Sequence, residues 1–265
     1  DIEPSTSAWT IGKTSTLEMS AGLEFPWTVD VCANSTIRLP EGAVVFKGPV
    51  VGMGATAPTL TFQNASSKDV PRSLAFDGGV TNLVVAAPWG KNFAMTVRNG
   101  EASLGSNLAL GGGSLAVTDG RISVNGLSLG GGSLTVEGGD AHQMGTGYRI
   151  AAFDKGARVR LSNAGAVQAD SLYGCANADF ATDGKISTVE VLGDTCLHTE
   201  RTSFPAPGFF IGATWSDPSV GSIAGGWGTM AIRDGAVVTN GVIVGTSGAG
   251  ALYLSDAALY AKGRE

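Results

Sequence analysis

The 265-residue chain contains few of the residues that most directly indicate a function. It has three cysteines, two histidines and no Cys-x-x-C spacing, so it predicts neither a redox motif nor a zinc site. Its net charge is −6 and no Lys/Arg run exceeds two residues, which argues against nucleic-acid binding. No apolar stretch approaches the roughly 18 residues of a membrane-spanning helix, so we expect no membrane insertion by this segment.

The sequence also lacks short motifs that mark several enzyme classes. It contains no H-E-x-x-H motif, no complete G-x-x-x-x-G-K-[S/T] phosphate-binding loop and no pair of carboxylates recognisable as a glycosidase dyad. A site assembled from neighbouring repeats would still escape a search for linear motifs. The sequence therefore predicts no metal and no cofactor, and it favours a non-enzymatic protein over an enzyme.

What the chain has instead is forty glycines and one short pattern that recurs about twelve times. The pattern is two apolar residues separated by one residue and followed by a polar or glycine-containing turn, as in 114–120, 133–138 and 229–235. Alternate residues of a strand point to one face, so each copy places two apolar side chains together. Each copy therefore predicts a short strand followed by a tight corner.

The copies recur at a nearly constant spacing. Their first apolar residues are 17, 37, 60, 74, 95, 115, 134, 159, 189, 209, 230 and 252, and most steps are 19 to 23 residues. Such a period is typical of a solenoid, because one short repeat buries its apolar face only by stacking on the next. Stacking predicts that Leu115 lies over Leu134 and Val117 over Val136.

These features predict an all-β fold, namely a single-stranded parallel β-helix of about a dozen rungs of about 20 residues each. We expect residues 1–265 to form one domain that is a fragment of a longer chain, because no polar cap follows the last repeat. An antiparallel sandwich or jelly roll is the competing fold, and its strands would recur at roughly 8 to 12 residues.

The repeat spacing also predicts where a functional site lies. The steps from 134 to 159 and from 159 to 189 are the longest, and inserted loops of a solenoid are where function tends to be found. The insertions concentrate in residues 138–228, together with both histidines. A purely structural lateral loop, or a contact to a neighbouring domain, is the alternative interpretation.

Two arginines in this region form a candidate ligand-binding face. Arg158 and Arg160 flank Val159, so both point outward if Val159 points inward, and Lys155 lies nearby in the sequence. Such a basic patch suits carboxylated or sulfated glycans, or a lyase in which a cation neutralises the substrate carboxylate. A solvated strand face whose charges prevent edge-to-edge aggregation is the alternative.

Three further residues are candidates for ligand binding. His142 would join the arginines as a proton-transfer group in a lyase. Trp215 and Trp227 occur in turn-like surroundings, where an exposed indole stacks on a sugar ring or packs over the end of a rung.

Cys175 and Cys196 both fall in the least regular stretch of the chain. They are candidates for a disulfide that ties an inserted loop to the next rung, and two buried free thiols are the alternative. Cys32 is left over in either case, and we expect it to be buried.

The runs 111–120 and 228–250 resemble the passenger repeats of bacterial autotransporter-like surface proteins, in which a phrase of the type G-x-L-x-V-x-x-G-G-x-V recurs. The resemblance covers residues 94–136 and 228–260 well and the rest loosely. It implies a right-handed β-helix, a cell-surface or secreted location, and an adhesive or scaffolding role. It carries over no catalytic residue.

Taken together, the leading hypothesis is a non-enzymatic extracellular β-helix, an adhesin or structural scaffold that contacts a glycan or a surface-protein partner. The alternatives are a polysaccharide lyase or glycoside hydrolase on a β-helix, and a carbohydrate-binding module. A lyase would require Arg158, Arg160, Lys155 or His142 to converge with acids from adjacent rungs. A carbohydrate-binding module would depend on Trp215 or Trp227.

Overall fold

The computed structural model describes residues 8–12, 16–66, 69–87, 90–104, 107–124, 126–144, 151–154, 156–169, 172–174, 186–199, 209–211, 215–217, 221–223, 227–239, 242–244 and 249–260. All regular structure in these ranges is β-strand, and none of it is helix. The prediction of an all-β chain is therefore confirmed for the described residues.

The strands fall into three sets that the chain visits in rotation, and we call one passage through all three sets a coil. Sheet 1 contains β1 (Trp9–Ile11), β4 (Val29–Val31), β7 (Val50–Gly52), β10 (Val80–Thr81), β13 (Glu101–Ser103), β16 (Arg121–Val124), β19 (Ala141–Met144), β22 (Gly165–Ala169), β25 (Thr195–Thr199), β30 (Val237–Thr239) and β33 (Ala258–Tyr260).

Sheet 2 is formed in two parts. The first part contains β2 (Thr16–Glu18), β5 (Ser35–Leu39), β8 (Thr59–Asn64) and β11 (Val84–Ala86). The second part contains β14 (Asn107–Ala109), β17 (Gly126–Gly130), β20 (Ala151–Asp154), β23 (Leu172–Gly174), β26 (Phe209–Ile211) and β31 (Val242–Val244).

Sheet 3 completes each coil. It contains β3 (Leu23–Phe25), β6 (Gly42–Phe46), β9 (Arg72–Phe76), β12 (Phe93–Arg98), β15 (Ser114–Thr118), β18 (Ser133–Glu137), β21 (Arg158–Ser162), β24 (Ser187–Leu192), β29 (Trp227–Arg233) and β32 (Ala249–Ser255). A separate antiparallel hairpin of β27 (Trp215–Asp217) and β28 (Gly221–Ile223) is inserted between β26 and β29.

Apart from β14 and the three strands of the first coil, each strand of the three sheets pairs in parallel with a strand of the preceding coil, which lies three places earlier in the chain until the hairpin intervenes. Strands β12, β15 and β18 pair in this way over five residues each. This order is compatible with the predicted solenoid. It excludes an antiparallel sandwich for the described strands, because every pairing outside the hairpin is parallel.

The predicted interior columns are present. Leu115 pairs in register with Leu134, and Val117 pairs with Val136. All four side chains are at most 1% exposed. Side chains alternate between the two faces of a strand, so the residues between them face outward. Each strand of sheet 3 thus contributes one side chain to each of two apolar columns on the inner face of the sheet.

The repeat phase predicted from the sequence is wrong at four of its twelve positions. Leu17, Ile37 and Leu60 lie in β2, β5 and β8 of sheet 2, and Phe209 lies in β26 of the same sheet. The other eight first residues, from Leu74 to Leu252, do stack in sheet 3. Strands in all three sheets carry apolar residues two apart, so the pattern alone does not identify the sheet.

The coils also differ in length more than the repeat spacing indicates. Val189 pairs directly with Met230, 41 residues further along the chain, and the inserted hairpin falls within this interval. A 30-residue interval also separates Val44 from Leu74. That second long coil lies outside 138–228. In the repeat spacing it is hidden, because Leu60 of sheet 2 counts as a separate copy between positions 37 and 74.

Aromatic rings fill the core of the first coils. Phe25, Phe46 and Phe76 occupy one register position of sheet 3. Their ring centroids are 4.9 Å apart for the first pair and 5.3 Å apart for the second, with nearly parallel planes. Phe62 meets Phe46 and Phe76 edge-on at 6.5 and 6.1 Å. These are the geometries that aromatic quadrupoles favour.

The corner after sheet 3 is built by a repeated left-handed residue. Asn99, Asp119 and Asn163 have φ of 51°, 51° and 48° there, a conformation that Asn and Asp tolerate better than most residues. The N–H of Asn99 donates to the carbonyl of Thr118 one coil further on, at 3.1 Å. Asp119 donates in the same way to Glu137, at 2.8 Å.

Glycine takes the same corner position where the preceding coil already supplies a polar side chain. A Cβ on Gly138 would lie 2.5 Å from Oδ1 of Asp119, and one on Gly193 would lie 2.1 Å from Oδ1 of Asn163. The Asn163 side chain instead accepts a hydrogen bond from the N–H of Asp194, at 3.1 Å. The side chains of Asp119 and Asn163 therefore fill the space above the next corner, which is glycine in both cases.

Candidate functional site

An open trough lies where two glycine-rich corners stack in front of sheet 3. Residues 111–113 precede β15 and residues 130–132 precede β18. Ser114 pairs in register with Ser133, so the two corners lie on successive coils at the same position. Neither corner carries a side chain beyond hydrogen, and the space left is about 600 Å³.

We call this space the glycine trough. Its lining consists of six glycines together with Lys91, Ser114, Ser133 and Arg158. Both serines flank buried leucines of their strands, so their hydroxyls face outward into the trough. The described lining residues therefore offer backbone amides, two hydroxyls and two cations, and none of them is a carboxylate or an imidazole.

Backbone hydrogen bonds fix the floor of the glycine trough. The carbonyl of Gly113 accepts the N–H of Ser133 at 2.9 Å, and the carbonyl of Gly132 accepts the N–H of Arg158 at 3.0 Å. A Cβ on Gly132 would lie 2.7 Å from the Gly113 carbonyl oxygen. The close stacking of coils thus requires glycine at this position.

The two cations belong to the coils on either side of the glycine corners. Lys91 precedes β12, and Arg158 begins β21; β15 and β18 lie between them. Three strand spacings of about 4.8 Å separate these coils by about 14 Å. Each side of the glycine trough therefore presents one positive charge.

Lys91 has one carboxylate neighbour. Its Nζ lies 3.0 Å from Oδ2 of Asp69, and both side chains are largely exposed. Hydrogen bonds from Lys91 and Asn92 lower the pKa of the Asp69 carboxyl. An ion pair this exposed is weakly held, so the lysine head group can be shared with a bound anion.

The two predicted arginines point outward as expected but have different surroundings. Arg158 and Arg160 are exposed on either side of buried Val159. Arg160 Nη1 lies 3.0 Å from Oε2 of Glu190 on the adjacent strand β24. Among the described residues, Arg158 has no carboxylate within ion-pair distance. Lys155, the third predicted cation, lies outside the described residues.

His142 does not join the arginines. It lies in β19 of sheet 1, and it is 1% exposed. Its Nδ1 accepts the N–H of Ile122 at 3.3 Å, and its Nε2 donates to the carbonyl of Gly138 at 3.1 Å. Burial lowers the pKa of the imidazole. A neutral ring with both nitrogens engaged is a structural brace, and this placement argues against the predicted ligand-binding role of His142.

The brace is needed because a corner lengthens at this coil. Four residues lie between Thr118 and Ser123, whereas five lie between Glu137 and Gln143, although both ends are in register. The extra residue interrupts the ladder beside Ile122, and the imidazole of His142 replaces a backbone carbonyl as acceptor. Buried N–H groups need such a partner.

The two tryptophan candidates begin strands rather than occupying turns. Trp215 opens β27 of the inserted hairpin, and Trp227 opens β29 of sheet 3. Their side chains are outside the described part of the structure, so the predicted sugar stacking stays a prediction.

Cys196 is exposed on β25. Cys175, its predicted disulfide partner, lies outside the described residues, so the pairing stays a prediction. Cys32 is exposed rather than buried.

One sequence match to a catalytic motif has the wrong local structure. Gly126-Leu127-Ser128-Leu129-Gly130 fits the G-x-S-x-G pattern of a serine nucleophile elbow. All five residues lie along β17, which pairs in parallel with β14 and β20. A nucleophile elbow requires a sharp strand-to-helix turn, so this match is not one.

Two further features are absent from the part of the chain that the structure describes. Within it, no group of three or more His, Cys, Asp or Glu side chains is arranged to hold a metal ion. In the same ranges, none of the structure is a helix with the length and apolar character needed to cross a membrane.

Comparison with protein-family models, with curated proteins and with solved structures found no match to this chain. The resemblance to autotransporter-like passengers therefore stays a prediction from the repeats.

Sequence reasoning missed three lining residues of the glycine trough, namely Lys91, Ser114 and Ser133. A signal was present in the sequence, because two Gly-Gly-Gly-Ser runs occur 19 residues apart, at 111–114 and 130–133. Their spacing equals one repeat, which places two side-chain-free corners on successive coils. The contribution of Lys91 was hidden because its own corner contains no such run.

Proposed function

We propose that this chain is a single-stranded, right-handed parallel β-helix that acts as a non-enzymatic extracellular scaffold or adhesin and contacts glycans through its lateral surface. The observation that carries the proposal is the unbroken register of sheet 3. One interior column runs from Leu23 to Leu252 through ten strands. A solenoid stacked in this way is a stiff, extended support for a surface.

The outer faces of the sheets support a scaffolding role because they are used for contacts between coils. Asp77 lies 3.1 Å from both Lys47 and Arg98 on the two neighbouring coils. Arg38 pairs with Glu18 at 2.9 Å and Arg121 pairs with Asp140 at 2.8 Å, in each case one coil apart. Such ladders hold successive coils in register without converging on one point.

The arrangement of the candidate groups favours binding over catalysis. A lyase needs a base beside the cation that neutralises the substrate carboxylate. Among the described lining residues of the glycine trough, none gives Arg158 an imidazole, a carboxylate or a second arginine as a neighbour. Arg160 is paired with Glu190 and His142 is committed to the backbone. Extracellular location rests on the resemblance of the repeats to surface passengers.

A carbohydrate-binding module is a second candidate, favoured by the glycine trough alone. Ser114 and Ser133 present hydroxyls beside exposed glycine backbone, which suits the hydroxyl groups of a sugar chain. In a carbohydrate-binding module, glycan binding is the only role of the chain. In a scaffold or adhesin, it is one property of a structural protein.

An activity screen against acidic and neutral polysaccharides tests the proposal. It measures new reducing ends and unsaturated products after incubation with folded protein. We expect no turnover on any substrate. Turnover that disappears in an R158A/R160A double variant, with thermal stability unchanged, would establish the lyase alternative and refute a non-enzymatic role.

A further inference from the structure

The glycine trough has the shape of a shallow seat for an extended chain. Two coils without side chains form its floor, and the residues before β12 and at the start of β21 form its sides. Its volume of about 600 Å³ falls within the range of small-ligand sites. A ligand that needs a deep pocket does not fit this shape. A polymer that lies across the coils can place one of its edges in it.

We infer that the glycine trough binds an acidic saccharide chain, with Lys91 and Arg158 contacting its carboxylate or sulfate groups and Ser114 and Ser133 its hydroxyls. The inference deepens the proposed glycan-contacting function and rests on it. It assigns to that function a ligand class and a specific place on the molecule.

Charge complementarity carries the anionic part of this inference. The two cations belong to coils about 14 Å apart, one on each side of the floor, so they favour a ligand that repeats its negative charge over a single small anion. Arg158 is exposed, and its planar guanidinium binds carboxylate and sulfate with two hydrogen bonds. The chain as a whole has a net charge of −6. The two cations of the glycine trough therefore stand out from an acidic molecule, although Lys91 also contacts Asp69.

The lining favours a saccharide over an acidic peptide. Glycine, serine and cation side chains account for all of its described residues, and none of these offers an apolar or aromatic surface to seat peptide side chains. Peptides bound in extended form usually add to an exposed sheet edge, whereas the strands on both sides of the glycine trough already have neighbours on each edge. Hydroxyls and exposed backbone amides match the dense hydrogen-bonding groups of a sugar.

Calorimetric titration of the intact chain provides the first test. The probes are a galacturonate hexamer, its neutral methyl ester, dextran sulfate, inorganic sulfate and a glutamate hexapeptide. We expect the two acidic saccharides to bind and the methyl ester to bind at least tenfold more weakly. Binding of neither acidic saccharide would overturn the inference. Equal or tighter binding of the hexapeptide would replace it with an acidic-peptide site.

Substitutions locate the binding within the molecule. K91A and R158A should each weaken binding of the galacturonate hexamer by on the order of tenfold, as expected for loss of one charge-assisted contact. R233A is the matched control, because it removes one exposed positive charge from sheet 3 two strands beyond Arg158. An equal loss in R233A would show a diffuse charge effect and contradict a defined site.

A pair of phenylalanine variants tests the shape without altering the charge. Ser133→Phe fills the glycine trough, whereas Thr135→Phe adds the same ring to the same strand outside the lining. Both positions face outward, and both variants should fold, because phenylalanine suits a strand. Binding should be lost in S133F and retained in T135F. Equal affinities in the two variants would contradict the assignment.

The outcomes separate this inference from the proposed function. Absence of saccharide binding together with absence of turnover removes the glycine trough as a site and leaves the scaffold proposal standing. Turnover of a bound acidic saccharide refutes the non-enzymatic role and leaves the site standing.

Discussion

The coils before residue 100 and the coils after it fill the same register positions with different side chains. Phe46 and Phe76 occupy one position of sheet 3 in the early coils, and Val117 and Val136 occupy it later. Among the described side chains, the buried phenylalanines all lie before residue 100, whereas buried leucine, isoleucine and methionine occur in both groups of coils. At this position of sheet 3 the later coils therefore bury a smaller side chain.

Buried hydroxyl side chains bond to the backbone at the corners of the later coils. Ser187 Oγ accepts the N–H groups of Gly156 and Ala157 at 3.2 and 3.1 Å. Thr195 Oγ1 accepts from Ala164 at 3.0 Å and donates to Leu192 at 2.7 Å. The difference teaches that one parallel ladder accommodates two sources of stability. Stacked aromatic rings add to apolar burial in the early coils, and the hydroxyls of Ser187 and Thr195 add to aliphatic packing in the later ones.

The largest expected effect comes from the aromatic stack. Phe46→Ala should lower the free energy of unfolding by about 3–5 kcal/mol, because it removes a fully buried ring with three aromatic neighbours. Val136→Ala, at the same register position of a later coil, should cost about 2 kcal/mol for its two lost methyl groups. Denaturant unfolding measures both, and equal losses would remove the distinction between the two regions.

The next effect concerns the brace of the later coils. His142→Leu should cost about 2–4 kcal/mol, because the Ile122 N–H and the Gly138 carbonyl lose their buried partner. His198→Leu is the control, since His198 is only partly buried and bonds to Thr239 on the outer face. A loss in H142L no larger than in H198L would show that the imidazole is not a brace.

The same residue predicts a dependence on pH. Burial lowers the pKa of His142, so below pH about 6.5 the unfolded chain binds the proton more readily than the folded chain. This contribution to stability is complete above that pH and is lost as the pH falls. H142L should unfold with a flatter profile between pH 7 and 5 than the parent. Parallel profiles for the two proteins would contradict a neutral buried imidazole.

An intermediate effect is expected at the floor of the glycine trough. Gly132→Ala places a Cβ 2.7 Å from the Gly113 carbonyl oxygen and should cost about 1–3 kcal/mol through displacement of the stacked corners. Gly90→Ala is the matched control, because a Cβ there meets no described atom within 4 Å. Thermal melting compares the two variants. Similar melting temperatures would indicate that the coils stack less closely than the structure has them.

The smallest effect is expected from the surface ion pairs. Double-mutant cycles should give a coupling of about 1 kcal/mol for Arg98–Asp77 and about 0.3 kcal/mol for Arg160–Glu190. The Asp77 side chain is only 17% exposed and has a second cation beside it, whereas the later pair is more exposed. Added salt should reduce the weaker coupling first. A larger coupling energy for Arg160–Glu190 than for Arg98–Asp77 would show that ion pairs do not stabilise the early coils more than the later ones.

Sequence reasoning predicted the parts of the fold that depend on a period of two. The column of Leu115 over Leu134 and the outward direction of Arg158 both follow from alternation along one strand. Assignment of a copy to a sheet was wrong for Leu17, because the local pattern is the same in all three sheets. That distinction depends on coil length, which is set by corners and insertions without apolar periodicity.

The candidate site was less predictable for a related reason. The role of His142 arises from one extra corner residue, and that residue is recognised only after β16 and β19 are placed in register. The glycine trough is a property of two coils together, so neither glycine run specifies it alone. Properties that belong to a stack of coils therefore become visible only in three dimensions.

The parallel solenoid is tested most directly by electron paramagnetic resonance, which measures distances between pairs of spin labels on one outward-facing column of sheet 3. With the native cysteines replaced by serine, one label is fixed at Val45 and the second is placed at Arg160, Glu190 or Tyr253, which are in register five, six and eight strands further along. At about 4.8 Å per strand, the backbone separations should increase steadily to about 24, 29 and 38 Å. Distances that fail to increase in this order would contradict a continuous parallel stack.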